Sequence, residues 1–282
     1  MEVAQTIESI RSLVKAARDR GSKIGLVPTM GALHIGHISL IEAAVRNCDF
    51  VVVSIFVNPT QFGPSEDLEN YPRDIERDTL MLEGETIDLL WTPSAEELYP
   101  DGFQTWVTVE NLSQPLEGAQ RPGHFRGVAT IVTKLLIALL PDRMYVGQKD
   151  AQQAQVIRRL VRDLNLPVEV VICPIVREPD GLAMSSRNAY LSQEERKAAT
   201  VLHRALTSAA DAYAEGEHGA DALRLKMYEM LLSEPLAKTQ YVSVADPETL
   251  EEQWGVVDRG LLSLAVFVGK TRLIDNVVVG GM

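Results

Sequence analysis

Residues Lys23–His37 read KIGLVPTMGALHIGH, and the reading of this stretch decides the fold. Lys23–Pro28 is short, apolar and closed by proline, which predicts a buried strand, and Leu33–Asn47 predicts a helix. Pro28–His37 is the crossing between them. A strand-to-helix crossing aims free backbone N–H groups and the helix dipole at whatever lies beyond the strand end, an arrangement suited to phosphate. His34 and His37 are three residues apart and share a face of the first helical turn, while Gly36 leaves room for a ligand to approach the backbone. Two imidazoles there can donate hydrogen bonds to a phosphate whose negative charge grows during displacement. The competing readings are a solvated helix start and a metal pair, the latter without an evident third ligand nearby.

Outward from this crossing, Ile7, Ile10, Leu13, Val14 and Ala17 recur at helical spacing and predict a helix ending near Gly21. Phe50–Val57 (FVVVSIFV) predicts a second buried strand, Asp88–Trp91 a short one, Arg143–Val146 another, and Val168–Cys173, opened by Pro167, a further one. Val128–Leu140 and Ala151–Leu164 predict helices. Strands without alternation, separated by helices, indicate a parallel sheet covered on both faces. Residues 1–176 are therefore expected to form a Rossmann-like open α/β nucleotide-binding domain.

Residues 177–282 have a different texture and predict a smaller α+β domain. Ser192–Glu215 reads as one helix with Ser192 as cap and Glu195 completing a capping box. Ala220–Leu232 reads as a second helix. Gln240–Ala245, Leu262–Val268 and Leu273–Val279 read as strands of an antiparallel sheet. Glu178–Gly181 (EPDG) is turn chemistry and a candidate hinge.

The 282 residues contain 27 Lys and Arg against 39 Asp and Glu, a net charge of −12. That balance opposes nonspecific binding to nucleic acid and leaves a local basic pocket for a small anion open. No apolar run reaches the ~18 residues needed to cross a bilayer, and the N-terminus lacks the pattern of a secretory signal. Cys48 and Cys173 form no metal or disulfide framework, which fits a reducing cytoplasm.

HIGH after a first strand resembles the signature of the class I aminoacyl-tRNA synthetase and nucleotidylyltransferase superfamily, and Met184–Asn188 (MSSRN) stands where such proteins carry their second signature. Val27–His37, Ser54–Phe62 (SIFVNPTQF), Gly147–Gln153 (GQKDAQQ) and Asp180–Leu191 (DGLAMSSRNAYL) together resemble the pantothenate synthetase, or pantoate–beta-alanine ligase, family along the whole chain. The resemblance implies attack of the (R)-pantoate carboxylate on the α-phosphate of ATP with release of pyrophosphate. Attack of β-alanine on the pantoyl adenylate would follow, giving pantothenate and AMP.

By the same resemblance, Met30, Gly31, Ala32, Leu33, His34, Ile35, Gly36 and His37 form an ATP cradle, joined by Gly147, Gln148, Lys149, Asp150, Val176, Met184, Ser185, Ser186 and Arg187. His37, His34 and Lys149 are the implied catalytic groups. The family's proton-donor role falls on His37, where electrostatic stabilisation would serve equally. Gln61 and Gln153 are implied to hold pantoate, with Gln61 beside β-alanine. Read without the resemblance, Gln61 is exposed turn dressing after Pro59, and Asp150 is as readily a helix cap. Lys149 offers a point charge, while Ser185, Ser186 and Arg187 suit a phosphate clamp; MSSR alone reads as a polar loop. Closure at the hinge is expected to shield the adenylate from water.

The family further implies a homodimer and ATP taken with Mg2+ held mainly by the nucleotide, with no protein ligand identifiable. Ile35, Gln148 and Ala151 depart from residues common in the family. Tyr71–Arg73 is a candidate pocket rim. Gly269–Thr271 imitates the end of a P-loop, but Leu264 stands where the first glycine is required. A nucleotidylyltransferase, a tRNA-binding module and a non-catalytic nucleotide sensor are the competing functions.

Overall fold

The computed structural model describes residues 1–64 and 66–281. The chain divides into two units, one of residues 1–147 and 153–174, the other of residues 148–152 and 175–282. The first contains β1 (Glu2–Ala4), α1 (Ile7–Asp19), β2 (Ile24–Thr29), α2 (Ile35–Val45), β3 (Phe50–Ile55), α3 (Ile75–Glu83) and β4 (Leu89–Trp91). It continues with α4 (Ala95–Leu98), α5 (Glu117–Gln120), α6 (His124–Leu139), β5 (Arg143–Gly147), most of α7 (Ala151–Asp163) and β6 (Glu169–Cys173).

The six strands pair in parallel in the order β1-β4-β3-β2-β5-β6. β2 and β3 are buried along almost their whole length, which is why neither alternates in sequence. Val27, Val51, Val53 and Leu90 meet Leu40, Ile41 and Ala44 of α2 in one core. The strand order reverses between β2 and β5, so the ligand crevice of such a sheet opens beyond their carboxyl ends. Pro28–His37 leaves the end of β2.

The second unit holds α8 (Gln193–Ala198), α9 (Val201–Ala214), α10 (Ala220–Leu232), β7 (Ala237–Ala245), β8 (Gly260–Val268) and β9 (Thr271–Val279). The three strands are antiparallel in chain order. Leu202 and Leu206 of α9 and Leu223, Met227 and Leu231 of α10 share a core with Leu262, Leu264 and Val266 of β8. Gly269 and Lys270 form the two-residue β8–β9 hairpin loop, with Gly269 at φ +59°. Glycine at the first loop position suits such a hairpin.

The expected parallel and antiparallel sheets are both present. Ser192–Glu215 is not one helix: the chain breaks at Ala199–Thr200, where the Thr200 hydroxyl donates to the Lys197 carbonyl (2.8 Å). Such local bonding competes with the helical ladder. The capping box at Ser192 and Glu195 is formed. The Glu178–Gly181 turn closes through Gly181 N–H on the Glu178 carbonyl and is tied to α8 by Arg196, which contacts both Glu178 and Asp180. β1 and α3 have no counterpart among the sequence-based expectations, and α6 begins four residues earlier than expected. Among the described residues no helix is long and apolar enough to cross a membrane.

Candidate active site

In the first unit, His34 caps α2. Its Nδ1 accepts from Gly36 N–H (3.1 Å), while His37 Nδ1 accepts from His34 N–H (3.3 Å), a reciprocal capping box built from two histidines. The ring centroids lie 4.1 Å apart. A neutral imidazole that accepts at Nδ1 carries its proton on Nε2. Both rings are therefore set as Nε2–H donors, the form that could assist a phosphate.

The turn before them is clamped from below. Gly31 and Ala32 have φ of +80° and +50°, and the Asp78 carboxylate of α3, 1% exposed, accepts from the Ala32 (2.8 Å) and Leu33 (2.7 Å) N–H groups. Gly31 N–H donates to Thr29 Oγ1 (3.2 Å) and His37 N–H to the His34 carbonyl (2.8 Å). The expectation of free backbone N–H groups along this crossing is thus largely overturned. Most are already bonded within the protein. Leu33 is fully buried and anchors the turn in the core, whereas Ile35 is 61% exposed.

Gln61 is 8% exposed, against the reading as exposed turn dressing. It closes a single 3-10 turn, Pro59–Gln61, after β3. Its Oε1 accepts from Asn58 Nδ2 (3.0 Å), and its Nε2 lies 3.0 Å from Met30 Sδ, joining this turn to the start of the Met30–His37 segment. Asn58 Nδ2 also donates to the Gly127 carbonyl (3.2 Å), and Asn58 Oδ1 accepts from Tyr99 and Thr60 hydroxyls (each 2.9 Å). Gln153 is half-buried on the first turn of α7. Tyr71 is buried edge-on to Phe62, with ring centroids 5.7 Å apart, and Arg73 donates to the Leu68 carbonyl (2.7 Å).

A buried relay that the sequence reading missed lies behind Gln61. His124, the first residue of α6, bonds through Nδ1 to the Gln61 carbonyl (2.8 Å) and through Nε2 to Arg121 Nη1 (3.0 Å). Arg121 in turn grips Glu66 with Nε and Nη2 at 2.6 and 2.8 Å. Burial, then the Arg121 charge, pushes the His124 imidazole down to about 4, so it is neutral with its proton on Nδ1. Burial would raise the Glu66 carboxyl, but its bonds to Arg121 outweigh that and hold it below the usual carboxylate range. The sequence signal was available in Arg121–Pro122–Gly123–His124, two basic residues around a turn at a helix start.

The second unit carries the remaining candidates. Gln148–Asp150 is a 3-10 turn, and Lys149 Nζ stands 3.8 Å from Asp150 Oδ1. Val176 accepts from Met184 N–H (3.0 Å). Ser185 caps the Ser186–Tyr190 turn, its Oγ accepting from Arg187 N–H (3.3 Å). Ser186 and Arg187 are half-buried on that turn, and Gly147 ends β5 in the first unit. No group of three or more His, Cys, Asp or Glu among the described residues could hold a metal ion.

Comparison with known proteins decides the family. The family model described as pantoate-beta-alanine ligase matches residues 2–278. This chain belongs to the pantoate–beta-alanine ligase family. Pantothenate synthetase of Herpetosiphon aurantiacus is 57% identical over 279 residues, covering 99% of this chain and 100% of that one. The Moorella thermoacetica enzyme of the same name is 54% identical over 278 residues, covering 99% and 98%. The crystal structure of pantothenate synthetase from Thermus thermophilus superposes with a TM-score of 0.95 at 46% identity, covering all of both chains. The Francisella tularensis ligase, crystallised with "Beta-gamma ATP and Beta-alanine", gives 0.82 at 36% identity, covering 99% and 97%. The six-stranded parallel sheet and the small antiparallel sheet of this ligase are thus found in a family with solved relatives.

Proposed function

We propose that this ligase condenses (R)-pantoate with β-alanine at the expense of ATP, giving pantothenate, AMP and pyrophosphate through a pantoyl adenylate. The observation that carries the mechanism is the pair of histidines, each locked as an Nε2–H donor by its own Nδ1 acceptor bond. In the first step a pantoate carboxylate oxygen attacks the α-phosphorus and the bond to pyrophosphate breaks. Such a displacement asks the protein mainly to position groups and to neutralise charge. His34 and His37 meet the developing charge, His37 serving as donor, and Lys149 adds a point charge. Preset donors need no reorganisation as the reaction proceeds.

The remaining assignments follow the motifs. Met30–His37, Gly147–Asp150, Val176 and Met184–Arg187 hold ATP, taken as its magnesium complex with the ion on the phosphates. Gln61 and Gln153 hold pantoate; a glutamine that both donates and accepts suits a carboxylate with two hydroxyls. In the second step the β-alanine amine attacks the acyl carbon and AMP leaves. Residues 1–176 serve as the nucleotide and pantoate domain and 177–282 as the smaller one, in a cytoplasmic homodimer that does not bind nucleic acid. The acidic composition supports the last assignment.

Product analysis with Mg-ATP and pantoate, with and without β-alanine, tests the reading. Pantothenate with one AMP and one pyrophosphate per turnover, dependent on both substrates, is expected. ADP as product would exclude adenylation, and ATP binding without turnover would favour a sensor.

A further inference from the structure

Within the second unit, the Gln148–Lys149 backbone is held by a side chain distant in sequence. Asn276 of β9 is 3% exposed. Its Nδ2 donates to the carbonyls of Gln148 (3.0 Å) and Lys149 (2.9 Å), and its Oδ1 accepts from Gln148 Nε2 (2.9 Å). Both donor hydrogens and the acceptor of one amide are thus committed to two consecutive residues. Asn276 pairs with Ser263 across β8, and Ser263 with Ser243 across β7, so a buried polar row crosses this sheet opposite its helical core.

The neighbouring residue on β9 grips a second candidate segment. Asp275, 2% exposed, accepts from Arg177 Nη1 (2.6 Å) and Nη2 (3.0 Å), and Arg177 Nη1 also donates to the Gly181 carbonyl (3.0 Å). Asn276 N–H donates to Asp275 Oδ1 (2.8 Å), linking the two clasps. An apolar pair at 275 and 276 would satisfy a core as well. Two polar side chains whose bonds run to the segments around Lys149 and Val176 suit placement of those segments.

We propose that Asn276 is a positioning residue for the ATP reaction: by fixing the Gln148 and Lys149 carbonyls it sets where Lys149 presents its ammonium to the nucleotide phosphates. The inference rests on the assignment of Lys149 to those phosphates. Asn276→Asp keeps the shape but replaces both donors with acceptors facing two carbonyls. In the full-length protein it should lower kcat/KM for ATP at least about tenfold while KM for β-alanine stays within about twofold. Hydrogen exchange in the peptide covering residues 148–152 should accelerate. Ser263→Ala, on the same row, should change neither reading. Should Asn276→Asp fail to fold, Asn276→Ser carries the same measurements. Unchanged exchange at 148–152, or a loss shared equally by the ATP and β-alanine constants, would overturn the inference. Wild-type protein that makes no pantothenate would instead overturn the functional reading, because the exchange measurement needs no turnover.

Discussion

At the scale of single residues, His124 and Asp78 act in opposite electrical states. The folded His124 titrates near 4 against an ordinary 6.5. Between those values the unfolded chain binds a proton that the folded one refuses. Stability therefore rises with pH across that window and is lost as pH falls through it, by on the order of 3 kcal/mol in full. His124→Asn keeps an amide able to reach the Gln61 carbonyl but cannot titrate. Urea unfolding at pH 5, 6 and 7 should show a shallower pH slope for this variant than for wild type, and equal slopes would remove the burial account. Asp78 works as a charge with two acceptors. Asp78→Asn turns a donor toward one of the two N–H groups of Ala32 and Leu33. It should cost about 1–3 kcal/mol of stability and lower kcat/KM for ATP, read by denaturant titration and steady-state rates; wild-type values in both would dismiss the clamp.

At the scale of elements, the crossing of α6 over the Asn58–Gln61 turn is set by a missing side chain. A Cβ on Gly127 would stand 2.4 Å from the Thr60 carbonyl oxygen and 2.7 Å from Gln61 N, both backbone atoms with little freedom to yield. Gly127→Ala should destabilise by about 1–3 kcal/mol and raise KM for pantoate more than KM for ATP; a uniform fall in kcat alone would detach the turn from pantoate. This crossing also marks the limit of what the sequence discloses. β2, β3 and α10 were legible because their own apolar runs or spacing specify them. β1 was not, since a three-residue strand exists only through its pairing with β4. α3 hides behind Asp78, a charge turned inward for a partner some 45 positions away. The His34–Gly36–His37 turn could be located from its spacing, but the carboxylate that takes the Ala32 and Leu33 N–H groups just before it comes from elsewhere in the chain. Gln61 likewise looks exposed until α6 is laid over it.

At the scale of the whole molecule, the proposed chemistry divides into two steps that can be separated by withholding one substrate. An adenylate route predicts that pantoate alone, without β-alanine, supports exchange of labelled pyrophosphate into ATP, because the first step runs backward while the acyl adenylate stays bound. In the proposed mechanism the histidine pair belongs to that step. His37→Ala removes an Nε2–H donor and, with it, the acceptor that holds the His34 N–H. Loss of one preorganised donor to a developing oxyanion costs roughly 10²–10³ in rate. Exchange and overall synthesis should fall together by about that factor, with the melting temperature close to wild type because both rings lie at a helix start rather than in the core. Exchange that persists while synthesis falls would move His37 to the second step. Exchange that requires β-alanine would replace the adenylate with a concerted route.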